Sequence, residues 1–220
     1  MKVIGFLKIA RVLGLGVGDG SVVKQLVDAL GLNCDIYGVD IDERALKQAK
    51  ERGIIVSRVD LNKDRLPYQD NYFDLVLMEE VIEHLVNPDN ALEEVHRVLK
   101  PGGLFIISTP NLAWWVNRLV LLLGFQPYWT EVSTRYNVGK LGRKLCEPLS
   151  GHLRLYTLPA LKQLLNLYNL KPIKCKGITY NNTPRVINII DKVLSIRTSL
   201  AQILICIAIN IKIKVLSKHH

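Results

Sequence analysis

The sequence predicts an α/β fold with a seven-stranded, mostly parallel sheet whose last strand is antiparallel. Two observations carry this prediction. An apolar strand beginning at Arg11 runs into alternating glycines and then into an amphipathic helix, and short apolar segments alternate with helical patterns through the first half. At 220 residues the chain has the length of one domain, so we assign residues 1–220 to a single domain.

The remaining predicted elements continue the alternation of strands and helices. Near-continuous apolar runs at 73–78 and 104–108 are typical of strands covered on both faces. A helix opens at Asn87-Pro88 and is predicted to end at Pro101-Gly102-Gly103. The other predicted strands lie at 35–40, 54–59, 173–180 and 200–211, and the other predicted helices at about 22–30, 42–52, 157–168 and 184–196.

Glycines at positions 14, 16, 18 and 20 stand where the first strand meets its helix. Glycine lets the backbone turn sharply and lets a ligand lie against it, which a Cβ would prevent. The helix that follows presents its N-terminal N–H groups to an anionic or carboxylate-bearing ligand. The spacing is G-x-G-x-G, because Asp19 stands where a dinucleotide fingerprint has its third glycine. A tight turn without a ligand is the alternative interpretation.

Acidic residues follow the next strands at the same predicted edge of the sheet. Asp40 ends the second strand 22 residues beyond Gly18, where a carboxylate can accept both hydroxyls of a ribose. Asp60-Leu61 ends the third strand. The fourth strand runs into Glu79-Glu80-Val81-Ile82-Glu83-His84-Leu85.

Together with Leu99-Lys100-Pro101-Gly102-Gly103, these signals resemble the class I S-adenosylmethionine-dependent methyltransferases over roughly residues 9–110. The set is similar to the small-molecule branch that includes the ubiquinone and menaquinone biosynthesis methyltransferases. The resemblance implies a Rossmann-like sheet of order 3-2-1-4-5-7-6, S-adenosylmethionine as the cofactor, and methyl transfer as the reaction. Gly14 is a departure, because the family usually has Asp or Glu at that place.

The resemblance also implies which residues hold the cofactor. The glycines would pass under its methionine part, and the first two carboxylates would bind its ribose and its adenine amino group. The residue after each of these carboxylates would lie against the adenine ring, and the last carboxylate would sit beside the methionine end. In chain order these residues are Gly14, Gly16, Gly18, Asp40, Ile41, Asp60, Leu61 and Glu79.

Two histidines are candidates for a general base, from which a hydroxyl acceptor would benefit. His84 follows the fourth strand at the edge where α/β sites lie. His152 lies in Gly151-His152-Leu153-Arg154 and is the second candidate catalytic residue. A structural, locally hydrogen-bonded role for His84 is the alternative.

The segment 110–156 interrupts the alternation after the fifth strand, and we predict that it is a cap that binds the acceptor. We expect Arg118 and Arg154 to bind a small or lipid-linked acceptor with an anionic group, since a guanidinium donates two parallel hydrogen bonds to phosphate or carboxylate. Aromatic residues beside the arginines suit a planar acceptor. In the alternative, Trp114, Trp115 and the leucines only pack this segment onto the sheet.

Charge is divided unevenly along the chain. Residues 1–110 carry 13 Lys and Arg against 17 Asp and Glu, whereas residues 111–220 carry 16 against 3. A basic second half suits phosphate, nucleic acid or a membrane surface, or it is a solvated face. An RNA or other nucleic-acid methyltransferase is therefore an alternative, although Met78-Glu79-Glu80-Val81 stands where an amino-methylating nucleic-acid enzyme would have asparagine-proline-proline-aromatic. A non-catalytic S-adenosylmethionine-binding protein is another alternative, suggested by Gly14.

Cysteine usage and apolar segments bear on the compartment. The cysteines are scattered without a C-x-x-C pattern, so we interpret all of them as reduced and expect no metal site; they are Cys34, Cys146, Cys175 and Cys206. Residues 1–10 lack the cleavage site of a signal peptide, and the run 200–211 is shorter than the roughly 20 residues of a membrane span. We expect a cytoplasmic protein, with peripheral membrane contact through the basic segment as an alternative.

Overall fold

The structure is a computed structural model that describes residues 9–179 and 185–212, apart from the side chains of 185–188. Its strands are β1 (Arg11–Leu15), β2 (Asp35–Asp40), β3 (Ile55–Arg58), β4 (Phe73–Glu79), β5 (Leu99–Pro110), β6 (Leu170–Ile178) and β7 (Ile203–Asn210). Its helices are α1 (Ser21–Ala29), α2 (Glu43–Glu51), α3 (Pro88–Val98), α4 (Trp115–Leu122), α5 (Leu158–Leu167) and α6 (Arg185–Leu194).

The seven strands form one sheet, and the predicted order 3-2-1-4-5-7-6 is confirmed. β1 pairs in parallel with β2 and β4, and β7 pairs antiparallel with β5 and β6. The apolar run 200–211 therefore supplies β7, as predicted. Within the described ranges, no helix is long and apolar enough to cross a bilayer.

Alternate strand residues face two apolar layers, one on each side of the sheet. Leu13 and Val76 belong to a layer that also contains residues of α3 and α5. Val12 and Leu75 belong to the opposite layer, with residues of α1 and α2. Because both faces are covered, the carboxyl edge of the parallel strands is where their loops can form a site. Leu15, at the end of β1, is level with Val39 of β2 and Met78 of β4 at that edge.

The boundary between α3 and β5 differs from the prediction. α3 ends at Val98, and β5 begins at Leu99 and continues through Pro101-Gly102-Gly103. Gly102 has a φ of 77°, and the register with β4 shifts between Phe73 and Leu75. A bulge accommodates proline and glycine within a strand. The strand can therefore begin before these residues instead of after them.

The prediction that all four cysteines are reduced is wrong for two of them. Cys175 and Cys206 face each other across β6 and β7 and are joined by a disulfide. Spacing along the chain could not show this, because the pairing depends on the register of two antiparallel strands. Cys34 and Cys146 are free. Cysteine usage thus no longer supports an intracellular location, since disulfides persist mainly in oxidising compartments.

Two tryptophans attach the 110–156 segment to α6. The indole N–H groups of Trp114 and Trp115 donate to Oδ1 of Asp191 at 2.8 and 2.7 Å. Trp114 is 4% exposed and Asp191 is fully buried. This contact supports the packing alternative for the tryptophans, because their polar edges are used inside the protein and not at an acceptor.

Arg97 fastens the loop before β4 to α3. Its guanidinium donates to both carboxylate oxygens of Glu94 at 2.7 and 2.6 Å and to the carbonyls of Leu66 and Tyr68 at 3.0 and 2.7 Å. It also donates to Asp70 at 2.8 Å. This loop follows the end of β3, so Arg97 helps to hold one wall of the carboxyl edge.

Replacing Arg97 with methionine should lower the free energy of unfolding by about 2–4 kcal/mol, because Glu94 and two loop carbonyls lose their donors. Burial alone would raise the pKa of Glu94, but the hydrogen bonds from Arg97 and the Leu66 N–H, together with the nearby guanidinium charges, outweigh it and lower that pKa below 4.5. A carboxyl group whose pKa is lower in the folded than in the unfolded protein stabilises the fold at pH values above its unfolded-state pKa. This stabilisation is lost as the pH falls through the folded-state pKa. The difference between wild type and variant should therefore shrink below about pH 4.5 in urea unfolding.

The matched control is Arg65→Met, since the Arg65 side chain is 73% exposed and reaches Asp70 only at 3.7 Å. Arg65→Met should change the free energy of unfolding by no more than about 0.5 kcal/mol. The role given to Arg97 would be contradicted if Arg97→Met lowered the free energy of unfolding by the same amount from pH 7 to pH 3. It would also be contradicted if that decrease were no larger than the decrease in Arg65→Met.

Candidate functional site

A cleft of about 270 Å³ opens at the carboxyl edge of β1 to β4. Its lining residues come from the loops that follow these strands: Gly16, Asp40, Ile41, Val59, Asp60, Leu61, Asn62, Glu80, Val81, His84 and Leu85. A second depression of about 440 Å³ lies at the opposite edge and is lined by His96, Asn169, Ile211 and Lys212. The first is the candidate site, because it gathers carboxylates and the glycine loop where an α/β sheet binds ligands.

The glycine loop leaves β1 and is fastened to the end of β2. Gly16 and Gly18 have φ values of 62° and 54°, which glycine adopts without strain. A Cβ at Gly16 would lie 2.5 Å from Cγ2 of Val81, whereas a Cβ at Gly18 would meet no described atom within 4 Å. The Gly18 N–H donates to Oδ2 of Asp40 at 2.8 Å. Gly16 is thus required by packing, and Gly18 leaves space in which a ligand can lie.

Packing accounts for the unusual Gly14. It lies within β1, level with Gly38 of β2. A Cβ at Gly14 would approach Cγ2 of Val17 to 3.0 Å, and a Cβ at Gly38 would approach Cγ1 of Val17 to 2.7 Å. Val17 therefore fills the space above both glycines, and a side chain at position 14 would require Val17 to shift.

Asp40 and Asp60 occupy the cleft wall as fixed hydrogen-bond acceptors. Besides the Gly18 bond, Asp40 accepts the N–H of Asp42 on Oδ1 at 3.0 Å. Oδ1 of Asp60 accepts the backbone and side-chain N–H groups of Asn62 at 3.0 and 2.9 Å, and these bonds lower the pKa of Asp60. Carboxylate oxygens have further lone pairs, so each side chain can still accept from a ligand's hydroxyl or amino groups.

The other predicted cofactor residues differ in placement. Ile41 and Leu61 both line the cleft, with Ile41 56% exposed and Leu61 7%. Glu79 is the last residue of β4 and is exposed, whereas its neighbour Glu80 lines the cleft. The cofactor role of Glu79 stays a prediction.

Sequence reasoning missed Glu80 and Glu83. Burial raises the pKa of Glu80 to about 7, with a contribution from the charge of Glu83. Burial likewise raises the pKa of Glu83 to about 7, although Oε2 of Glu83 accepts from the Thr109 hydroxyl at 3.0 Å. The signal that could have found them is Glu-x-x-Glu-His immediately after a buried strand.

The structure brings the two predicted catalytic histidines together. Their ring centroids are 4.8 Å apart, with His84 on the 3-10 turn Ile82–His84 and His152 in the 110–156 segment. Nδ1 of His84 lies 3.1 Å from the Gly151 carbonyl. Burial lowers the pKa of His152, and the nearby His84 lowers it further.

The two predicted acceptor arginines are separated in the structure. Arg154 donates from Nη1 to the Leu85 carbonyl at 2.6 Å and so lies beside the cleft. Arg118 donates to the carbonyls of Ala113 at 2.8 Å and Ser199 at 3.4 Å, which places it near the start of β7. Arg154 is therefore the nearer of the two to the candidate site.

Comparison with known proteins finds similarity to a known family in the first half of the chain. Residues 13–107 match the family model described as a methyltransferase domain. The ubiquinone/menaquinone biosynthesis C-methyltransferase UbiE of Burkholderia thailandensis is 30% identical over 108 residues, covering 47% of this chain and 44% of that protein. The match thus spans less than half the length of the curated relatives.

Solved structures resemble a larger part of the chain. A methyltransferase of Methanosarcina mazei, named as S-adenosylmethionine-dependent, superposes with a TM-score of 0.61 at 17% identity and covers 93% of this chain and 94% of its own. A methyltransferase of Mesorhizobium loti, named in the same way, has a TM-score of 0.59 at 18% identity and covers 93% of each chain. These likenesses show the shared fold. Over residues 13–107 the chain is therefore similar to an S-adenosylmethionine-dependent methyltransferase domain.

Proposed function

We propose that this chain transfers a methyl group from S-adenosylmethionine to a small or lipid-linked acceptor that carries an anionic group. The observation that carries the proposal is the cleft itself. It joins an open glycine loop, two fixed carboxylates and His84 at one edge of the sheet, and His152 packs against His84. The relatives' printed name, a C-methyltransferase of ubiquinone and menaquinone biosynthesis, fits a small-molecule acceptor.

The residues of the cleft fit the cofactor. Gly18 leaves free the space that a Cβ would fill, and Asp40 and Asp60 present acceptors at adjacent strand ends. When bound, S-adenosylmethionine supplies an activated, electrophilic methyl group. Asp40 would hold the ribose hydroxyls and Asp60 the adenine amino group, with Ile41 and Leu61 against the ring.

The 110–156 segment is suited to close the acceptor side. The N–H groups of Leu153 and Arg154 both donate to the Glu83 carbonyl, at 2.8 and 3.1 Å. This contact lays the segment beside the cleft residues that follow β4. An acceptor held there would be aligned with the cofactor, and alignment supplies most of the acceleration that such a reaction needs. A proton leaving an acceptor hydroxyl would have His84 or His152 within reach.

Charge and exposed apolar residues favour an anionic, lipid-linked acceptor. Arg154 borders the cleft, and the second half of the chain carries a large excess of basic residues. Around α4, large apolar side chains are exposed, including Leu121 at 61%, Leu122 at 82% and Leu123 at 66%. Apolar and basic groups together suit contact with a membrane surface. A cytoplasmic, membrane-peripheral location remains part of this proposal.

Methylation of RNA is the second candidate. The basic second half favours it, because neutralising phosphates dominates affinity for nucleic acids. A non-catalytic cofactor-binding role is weakened by the local packing, since Val17 accounts for glycine at position 14.

Asp40→Ala should weaken S-adenosylmethionine binding by about 1.5–3 kcal/mol, the range for a hydrogen bond to a charged group. Asp40→Asn should lose less, because an amide oxygen can still accept from the Gly18 N–H. Isothermal titration calorimetry measures both affinities. Asp35→Ala is the matched control, because Asp35 is exposed at the opposite end of β2.

Unchanged affinity in Asp40→Ala would remove this residue from the site. Binding of NAD by the wild type in place of S-adenosylmethionine would contradict the methyltransferase proposal as a whole.

Arg154→Glu should reduce methyl transfer by about 10- to 100-fold while the affinity for S-adenosylmethionine stays unchanged, because a charge-assisted contact to the acceptor is lost. The assay follows tritium from methyl-labelled S-adenosylmethionine into lipid extract, water-soluble small molecules and total RNA, each offered separately. Wild type should label the lipid or small-molecule fraction. Arg118→Glu should act in the same direction with a smaller effect.

Arg135→Glu makes the same charge change at an exposed position of the same segment and should transfer normally. Thermal melting verifies that each variant is folded. Label confined to RNA would favour the second candidate, and equal transfer by all variants would mean that the basic surface is only a solvated face.

A further inference from the structure

We propose that Glu83, His84 and His152 form a binding site for one divalent transition-metal ion. Each side chain offers one ligand atom, and these three atoms lie within 4.8 Å of one another. In a tetrahedral site with bonds of about 2.1 Å, ligand atoms are about 3.4 Å apart. The side chains therefore need to approach by little more than about 1 Å to close around an ion.

The histidine hydrogen bonds leave ring nitrogens free for a metal. Nδ1 of His84 lies 3.1 Å from the Gly151 carbonyl, and a carbonyl only accepts, so Nδ1 carries the proton and Nε2 has a free lone pair. Nδ1 of His152 is buried and has no partner among the described residues. The backbone of Trp129 lies close enough to the His152 ring to favour its protonated form. Metal-bound histidines commonly hold their second nitrogen as His84 does.

The Glu83 carboxylate is the strongest indication of a ligand. Glu83 is 0% exposed, yet among the described residues only its Oε2 has a side-chain donor and its Oε1 has no partner. Burying a carboxylate without compensation is unfavourable by several kcal/mol. Glu80 adds a second buried carboxyl oxygen without a described partner. A bound cation would compensate this concentration of acidic groups.

The ligands come from two parts of the chain that the fold holds together. Glu83 and His84 belong to the turn after β4, and His152 belongs to the 110–156 segment. The carboxylate of Glu131 accepts the N–H groups of Ser150 and Gly151 and so shapes the backbone just before His152. An ion bound by all three ligands would lock this segment onto the cleft.

One carboxylate and two imidazoles suit Zn²⁺, Fe²⁺ or Co²⁺ better than Mg²⁺ or Ca²⁺. Three protein ligands leave open coordination positions. Because His84 lines the cleft, an open position there would select an acceptor with an oxygen donor, such as a phenol, an enol or a carboxylate. The metal site rests on its own geometry, and a bound ion would occupy the imidazole lone pairs that could otherwise take a proton from the acceptor, so metal binding is measured separately from methyl transfer.

The test uses Co²⁺ as a spectroscopic probe and Zn²⁺ as a competitor on the full-length, chelator-treated protein, without cofactor or acceptor. Wild type should bind one equivalent of Co²⁺ with visible d–d absorption, and Zn²⁺ should displace it. Glu83→Gln, His84→Ala and His152→Ala should each weaken Co²⁺ binding by more than about tenfold. Thermal melting and calorimetric S-adenosylmethionine binding are measured on the same samples.

His96→Gln and Glu93→Gln are the matched controls, since both residues lie on α3 away from the cluster. They should bind Co²⁺ like wild type. His84 is exposed, so His84→Ala keeps the test informative if Glu83→Gln does not fold. Absence of stoichiometric Co²⁺ binding by wild type, or wild-type Co²⁺ affinity in folded His84→Ala and His152→Ala, overturns the metal site. Unchanged S-adenosylmethionine binding in those variants would leave the proposed function standing.

Discussion

One backbone carbonyl, that of Glu83, fastens the 110–156 segment beside the cleft. It accepts the N–H groups of both Leu153 and Arg154, and the adjacent Leu85 carbonyl accepts the Arg154 guanidinium. With the contact between Nδ1 of His84 and the Gly151 carbonyl, these bonds bring His152 to His84. The loops after β1 to β4 line the cleft, and the 110–156 segment borders it through Arg154. The acceptor side of the site therefore depends on a contact between residues almost 70 positions apart.

The cofactor side depends on a second, shorter-range constraint. Gly18 and Asp40 are fixed to one another, so the glycine loop and the end of β2 form one rigid surface. Val17 packs over Gly14 and Gly38 and supports that loop from within the sheet. These contacts make the departure at Gly14 a change in local packing that leaves the Asp40 carboxylate in place.

The sequence predicted the position of the strand-end carboxylates well because its signals are local. A parallel sheet brings strand ends to one edge, so an acid after each strand is enough to place Asp40 and Asp60 there. The acceptor side was predicted less completely because its contacts are long-range. Nothing in the sequence distinguishes Glu83 from the neighbouring acidic residues. Only the folded chain shows that Glu83 is buried and lies beside His152.

The same limit explains the other differences. The disulfide between Cys175 and Cys206 depends on cross-strand register, which residue spacing along the chain does not reveal. Trp114 resembled an acceptor-binding aromatic until its indole N–H was found on the buried Asp191. A bulge, and not a helix end, accounts for Pro101 within β5.

Hydrogen exchange measured by mass spectrometry tests the central claim most directly, because it shows which edge of the sheet binds the cofactor. With saturating S-adenosylmethionine, exchange should slow in peptides covering 13–20, 38–42 and 59–62, which form the cofactor side of the cleft. Protection confined to the opposite depression around His96 and Asn169, or no protection anywhere, would contradict the account.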